Sequence, residues 1–81
     1  MWADASVRAH LQTLSNAMTE TEINRILGDA YGLKEDIVRQ RLVRMRASGK
    51  LDGLWSRTGT GRVMYGPTEV FPAAGTQEEN R

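Results

Sequence analysis

The segment from Tyr31 to Leu51, YGLKEDIVRQRLVRMRASGKL, restricts the fold more than any other stretch of the chain. It reads as a glycine-containing turn, one basic amphipathic helix, and a Gly stop running into an apolar residue. Val38, Leu42 and Met45 recur at i, i+4, i+7, the spacing of one buried stripe on an α-helix. Leu33 joins the buried side, while Arg39, Gln40, Arg41, Arg44 and Arg46 occupy the remaining sides. A helix that packs on one stripe and presents arginines elsewhere suits a polyanion, because guanidinium forks match phosphate oxygens and the guanine edge. The spacing predicts a helix from Lys34 or Glu35 to Ala47, closed by Ser48-Gly49.

Length and residue types narrow the classes open to such a helix. Eighty-one residues make one domain with an economical core. The chain has no cysteine, so it forms neither a disulfide nor a zinc-thiolate site, and the lone His10 supplies no metal cluster. No Gly-framed serine nucleophile is present either, so the expectation is no enzyme, no catalytic residue, no metal and no cofactor. Glu20 and Glu22 are read as helix-start residues rather than as a catalytic pair. No apolar run approaches membrane-spanning length and no basic-then-apolar leader opens the chain, so a cytoplasmic protein without membrane contact is expected.

Net charge is only +1, but its distribution is uneven. Residues 1–32 carry a net −2, residues 67–81 a net −2, and residues 33–66 a net +5 from eight basic and three acidic side chains. The local field, not the sum, steers a charged partner, and here the positive field lies in the middle of the sequence.

Two helices are expected before the basic one. Val7, Leu11, Leu14 and Met18 lie at i, i+4, i+7, i+11, predicting a helix from Asp4 or Ser6 to Ala17 with either residue as its cap. Trp2, just ahead of it, is assigned to core or dimer packing. Thr19-Glu20-Thr21-Glu22 fits a capping box, with Met18 and Ile23 placed as a hydrophobic staple around it. Ile23, Ile26 and Leu27 then form the buried side of a second helix, which Gly28 or Gly32 ends or turns.

After the basic helix, Leu51–Ser56 and Arg62–Tyr65 read as two short extended segments joined by Arg57-Thr58-Gly59-Thr60-Gly61. The Thr-Gly-Thr-Gly run lacks the Lys-Ser/Thr and following helix of a nucleotide phosphate loop. Trp55 is assigned to packing across this hairpin, and Pro67 to ending strand pairing. Residues 68–81 turn small, polar and acidic and read as a flexible C-terminal tail, with Val70 and Phe71 as apolar exceptions.

Gly32-Leu33, Val38, Leu42, Met45, Gly49 and Leu51, with the capped helix before and the hairpin after, resemble winged helix-turn-helix repressors over residues 5–67. Two departures are visible: Lys34-Glu35-Asp36 stands where that family has Ser or Thr, and Gly28–Leu33 is a longer connection than its tightest turns. The resemblance implies an α+β fold, a winged helix-turn-helix domain over 1–67 with three helices followed by a two-stranded wing hairpin. It implies a transcriptional regulator, a repressor rather than an activator, which binds double-stranded DNA as a homodimer with its third helix in the major groove. On that basis Arg39, Gln40 and Arg44 are assigned to base or near-base contact. Lys34, Arg41, Arg46 and Lys50 are assigned to phosphates or structural partners, and Arg57 and Arg62 to the backbone through the wing. The alternative is a winged-helix module that binds a protein partner or inhibits a host complex, favoured by Glu35-Asp36 if they face outward.

Overall fold

The computed structural model describes residues 1–71. In chain order the elements are α1 (Asp4–Gln12), β1 (Met18–Thr19), α2 (Glu20–Tyr31), α3 (Glu35–Ala47), β2 (Trp55–Arg57) and β3 (Val63–Tyr65). A 3-10 turn, Thr68–Val70, follows. The fold is thus α+β: three helices and a three-stranded antiparallel sheet of order β1-β3-β2. The two-stranded hairpin expected from the sequence is corrected to three strands. Met18 pairs with Tyr65 and Thr19 with Met64, while Trp55, Ser56 and Arg57 pair with Tyr65, Met64 and Val63.

The third strand exists at the expense of α1. That helix ends at Gln12, not Ala17, because Thr13 turns back on it: its hydroxyl and its N–H both donate to the His10 carbonyl. Released from the helix, Leu14 still packs against the core and Met18 enters the sheet. The start of α1 also differs from expectation. Ala3 occupies the cap position with no side-chain hydrogen bond, and Asp4 instead pairs with Lys50 at 3.0 Å.

The capping box of α2 forms as its sequence dictates. Thr19 N–H donates to Glu22 Oε1 at 2.9 Å, and Glu22 N–H donates to Thr19 Oγ1 at 3.2 Å. These bonds to the charged carboxylate hold the Glu22 pKa below its ordinary 4.5; the Thr19 backbone is the main cause, then the Thr19 side chain. Two orphan amides are satisfied and the carboxylate lies at the positive end of the helix dipole.

Helix α2 runs through Gly28 and ends at Gly32, whose φ of +69° is left-handed. The connection to α3 is therefore three residues, Gly32–Lys34, shorter than the Gly28–Leu33 expected. Gly28 has a different duty. A Cβ there would sit 2.7 Å from the Leu33 carbonyl oxygen, so its missing side chain lets the returning chain cross close to α2. Leu33 N–H donates to the Gly28 carbonyl at 2.9 Å and fixes that crossing.

The core collects one stripe from each helix and the inner side of the sheet. Val7, Leu11, Ile23, Leu27, Val38, Leu42, Met45, Leu51, Leu54, Val63 and Tyr65 are buried together. Leu51–Leu54 form tight turns and not a strand, with Leu54 N–H bonded to the Leu51 carbonyl, so β2 starts only at Trp55. The tail expected from residue 68 begins with a tied-down turn: Gln12 donates to Thr68 Oγ1 and accepts from Thr68 N–H, each at 3.0 Å. Residues 72–81 of that expected tail lie outside the described residues. No described helix is long and apolar enough to cross a membrane.

Candidate nucleic-acid interface

Because Val38, Leu42 and Met45 are consumed by the core, the opposite ridge of α3 must face outward. Asp36, Gln40, Val43 and Ala47 are exposed along it, and Arg39 and Arg44 are exposed on its flanks. Lys34 is exposed at the cap position, where it makes no side-chain hydrogen bond. Glu35 and Asp36 lie in the first turn, on the favourable side of the helix dipole. Three of the nine residues singled out from the sequence, Arg39, Gln40 and Arg44, thus share one open surface of a single helix.

The hairpin brings two more cations forward. Thr58 N–H donates to the Arg62 carbonyl, Gly61 N–H to the Thr58 carbonyl, and Gly61 adopts φ +85°, the geometry of a short loop closed by a left-handed residue. Arg62 N–H donates to Thr58 Oγ1 at 3.0 Å. Arg57 lies 5.7 Å from the Trp55 ring and bonds to the Gly61 carbonyl at 3.4 Å. Both arginine side chains are exposed. Arg62 also reaches the start of α2, where it borders a surface hollow of about 390 Å³ with Thr19, Glu20 and Thr21.

Arg46 stands apart from the exposed cations. Its side chain is only 13% exposed, pairs with Glu20 at 3.4 Å and donates to the Tyr65 hydroxyl. The guanidinium lies 5.2 Å from the Trp55 ring and 5.9 Å from the Tyr65 ring. One side chain therefore joins α3, the start of α2, and both hairpin strands. Burial raises the Tyr65 pKa above its ordinary 10.0, and the Arg46 charge and hydrogen bond oppose that rise.

On the other flank of α3, Arg41 lies over Trp2 at 5.4 Å, and Trp2 meets Tyr31 edge-on at 5.3 Å. Trp2 is thus a packing residue that covers the core between α2 and α3. Beside it, Arg41, Arg44, Ser48 and Lys50 border a groove of about 400 Å³ that Asp4 also lines. Lys50 is engaged twice, its ammonium by Asp4 and its carbonyl by Arg8. Sequence reasoning did not single out Arg8, Asp4 or Glu20 for these contacts. All three bonds join residues far apart in the chain, so no local pattern announced them.

The arrangement offers exposed cations on one helix and on an adjoining hairpin, joined by the half-buried Arg46. Such side chains can donate to phosphate oxygens and to base edges. Compared with family models, curated proteins and solved structures, the chain matches none of them.

Proposed function

We propose that the protein is a winged helix-turn-helix regulator that binds double-stranded DNA, with α3 in the major groove and the β2–β3 hairpin as a wing on the backbone. The observation that carries this reading is the open ridge of α3. Arg39, Gln40 and Arg44 stand there side by side with no internal partner in the ion pairs and hydrogen bonds of the described residues. Three features support the helix-turn-helix reading: the three-residue connection through Gly32, the capped α2, and the hairpin beside α3.

Roles follow from exposure. Arg39, Gln40 and Arg44 read bases or adjacent phosphates. Lys34, Arg41, Arg57 and Arg62 neutralise backbone, with Arg41 restricted by its stacking on Trp2. Lys50 divides its charge with Asp4, and Arg46 holds the scaffold. A module of this size buries little surface, so two copies on a two-fold related site would supply the specificity of a repressor.

Selection of bound sequences from random duplexes, followed by a salt titration on the winner, tests the proposal. A specific site and a steep loss of affinity with salt are expected, since several phosphates are neutralised. Recovery of no preferred sequence, with affinity insensitive to salt, would overturn it. The reading as a protein-binding module rests on Glu35 and Asp36, both exposed at the start of α3, and would then take precedence.

A further inference from the structure

The outward ridge of α3 holds one feature that its arginines do not account for. Val43 is 38% exposed, and with Met1 and Val70 it is one of three large apolar side chains left so open among the described residues. A β-branched residue has lower helix propensity than alanine, so helix propensity does not account for Val at this position. Val43 lies in line with Gln40 and Ala47 on the same ridge. Together Val43 and Ala47 form one side of a cleft of about 240 Å³ whose other side is Trp55, with Arg46 and Arg57 completing it. Arg46 is neutralised by Glu20, whereas Arg57 meets no carboxylate in the ion pairs of the described residues.

This patch is apolar at its centre and cationic at its edges, with the exposed Arg39 and Arg44 on the two flanks of the α3 ridge and Arg57 beside Trp55 across the cleft. A polyanion that fits it must carry a small apolar group between its charges. In the major groove of duplex DNA that group is the 5-methyl of thymine, the sole apolar feature among the base edges there.

We infer that Val43 and Ala47 read a thymine methyl group, fixing a T at one position of the site contacted by α3. The inference rests on the DNA-binding reading. It adds a base identity that hydrogen-bonding residues alone do not specify. Gln40, one turn earlier on the ridge, is then placed to address a neighbouring base pair.

Replacing thymines of the selected duplex one at a time by deoxyuridine removes only the methyl group. At one position or two, wild-type affinity is expected to fall about three- to fivefold, the value of one methyl group removed from water. Val43→Ala, which favours the helix but withdraws two methyl groups from the cleft, is expected to lose most of that difference between the thymine and deoxyuridine duplexes. If the selected duplex binds and no deoxyuridine substitution matters, or if Val43→Ala keeps the full sensitivity, this inference is overturned and the DNA-binding reading stands. If no duplex is preferred at all, both fall together. Loss of a dimer by Val43→Ala, with deoxyuridine sensitivity unchanged, would assign the patch to self-association and overturn the inference equally.

Discussion

Replacing Arg46 by Ala should destabilise the protein far more than replacing any of the exposed arginines. The guanidinium makes a charge-assisted hydrogen bond to the hydroxyl of Tyr65, a residue with no exposed surface. Such a bond contributes about 1.5–3 kcal/mol, and its loss leaves a buried hydroxyl unpartnered. Stacking on Trp55 and Tyr65 adds about 0.5–1 kcal/mol for each ring. The ion pair with Glu20, with side chains 13% and 31% exposed, adds about 0–1 kcal/mol after solvent screening. These contributions share one guanidinium and do not add, so a total of about 2–3 kcal/mol is expected. For a domain of this size that corresponds to a fall in Tm of about 10–20 °C. Thermal unfolding followed by circular dichroism measures it, with Arg44→Ala as a control expected within about 0.5 kcal/mol of wild type. Arg46→Met, which keeps the aliphatic stem against Trp55, should lose less than Arg46→Ala. A Tm for Arg46→Ala equal to that of Arg44→Ala would refute the assignment of Arg46 to the scaffold.

The remaining expectations concern the cap, the helix crossing, alkaline pH and the hairpin. Thr19→Ala should cost about 1 kcal/mol by denaturant titration, through loss of the hydroxyl that accepts from Glu22 N–H. An unchanged midpoint would mean that the cap contributes nothing to α2. Gly28→Ala should destabilise by about 1–3 kcal/mol despite alanine's better helix propensity, because its Cβ meets the Leu33 backbone oxygen at 2.7 Å; a stabilised variant would show that the crossing relaxes freely. The raised pKa of Tyr65 places its stabilising neutral form fully below pH 10, and that contribution is lost as pH rises through the folded-state value. Tyr65→Phe should therefore show a weaker alkaline decline in Tm than wild type; an identical decline would point to other groups. Replacing Arg57 and Arg62 together by Ala should reduce the slope of log K against log salt by up to about 2, with all duplexes affected nearly alike. A slope identical to wild type would show that the hairpin does not touch DNA.

What could be read in advance divides along the distance between interacting residues. The capping box of Thr19 and Glu22 spans one helical turn, and the stripe Val38, Leu42, Met45 spans less than three; both are local patterns with local causes. Strand β1 was not legible. Met18 continues the helical spacing of Val7, Leu11 and Leu14, and only its pairing with Tyr65, far along the chain, makes it a strand residue. Gly28 carried an ambiguous signal for the same reason: a glycine that ends a helix and one that admits a crossing chain look alike until Leu33 is placed beside it. Among the charges, the wheel placed Arg39, Gln40 and Arg44 outward, as found. It could not foresee that Arg46, one step from the buried Met45, would be drawn inward by Glu20, Tyr65 and Trp55. Val43 and Ala47 were visible on the open side of the wheel, but the cleft they form needs Trp55 from the hairpin.

Chemical-shift mapping of the ¹⁵N-labelled protein with its selected duplex tests the central claim most directly, because it reports every backbone amide at once. The largest changes are predicted at Arg39, Gln40, Val43, Arg44 and Ala47 on the open ridge of α3, with a second group from Arg57 to Arg62 in the hairpin. Changes centred instead on α1 and the Thr68–Val70 turn, with the α3 ridge unmoved, would contradict the assignment of α3 as the DNA-reading helix.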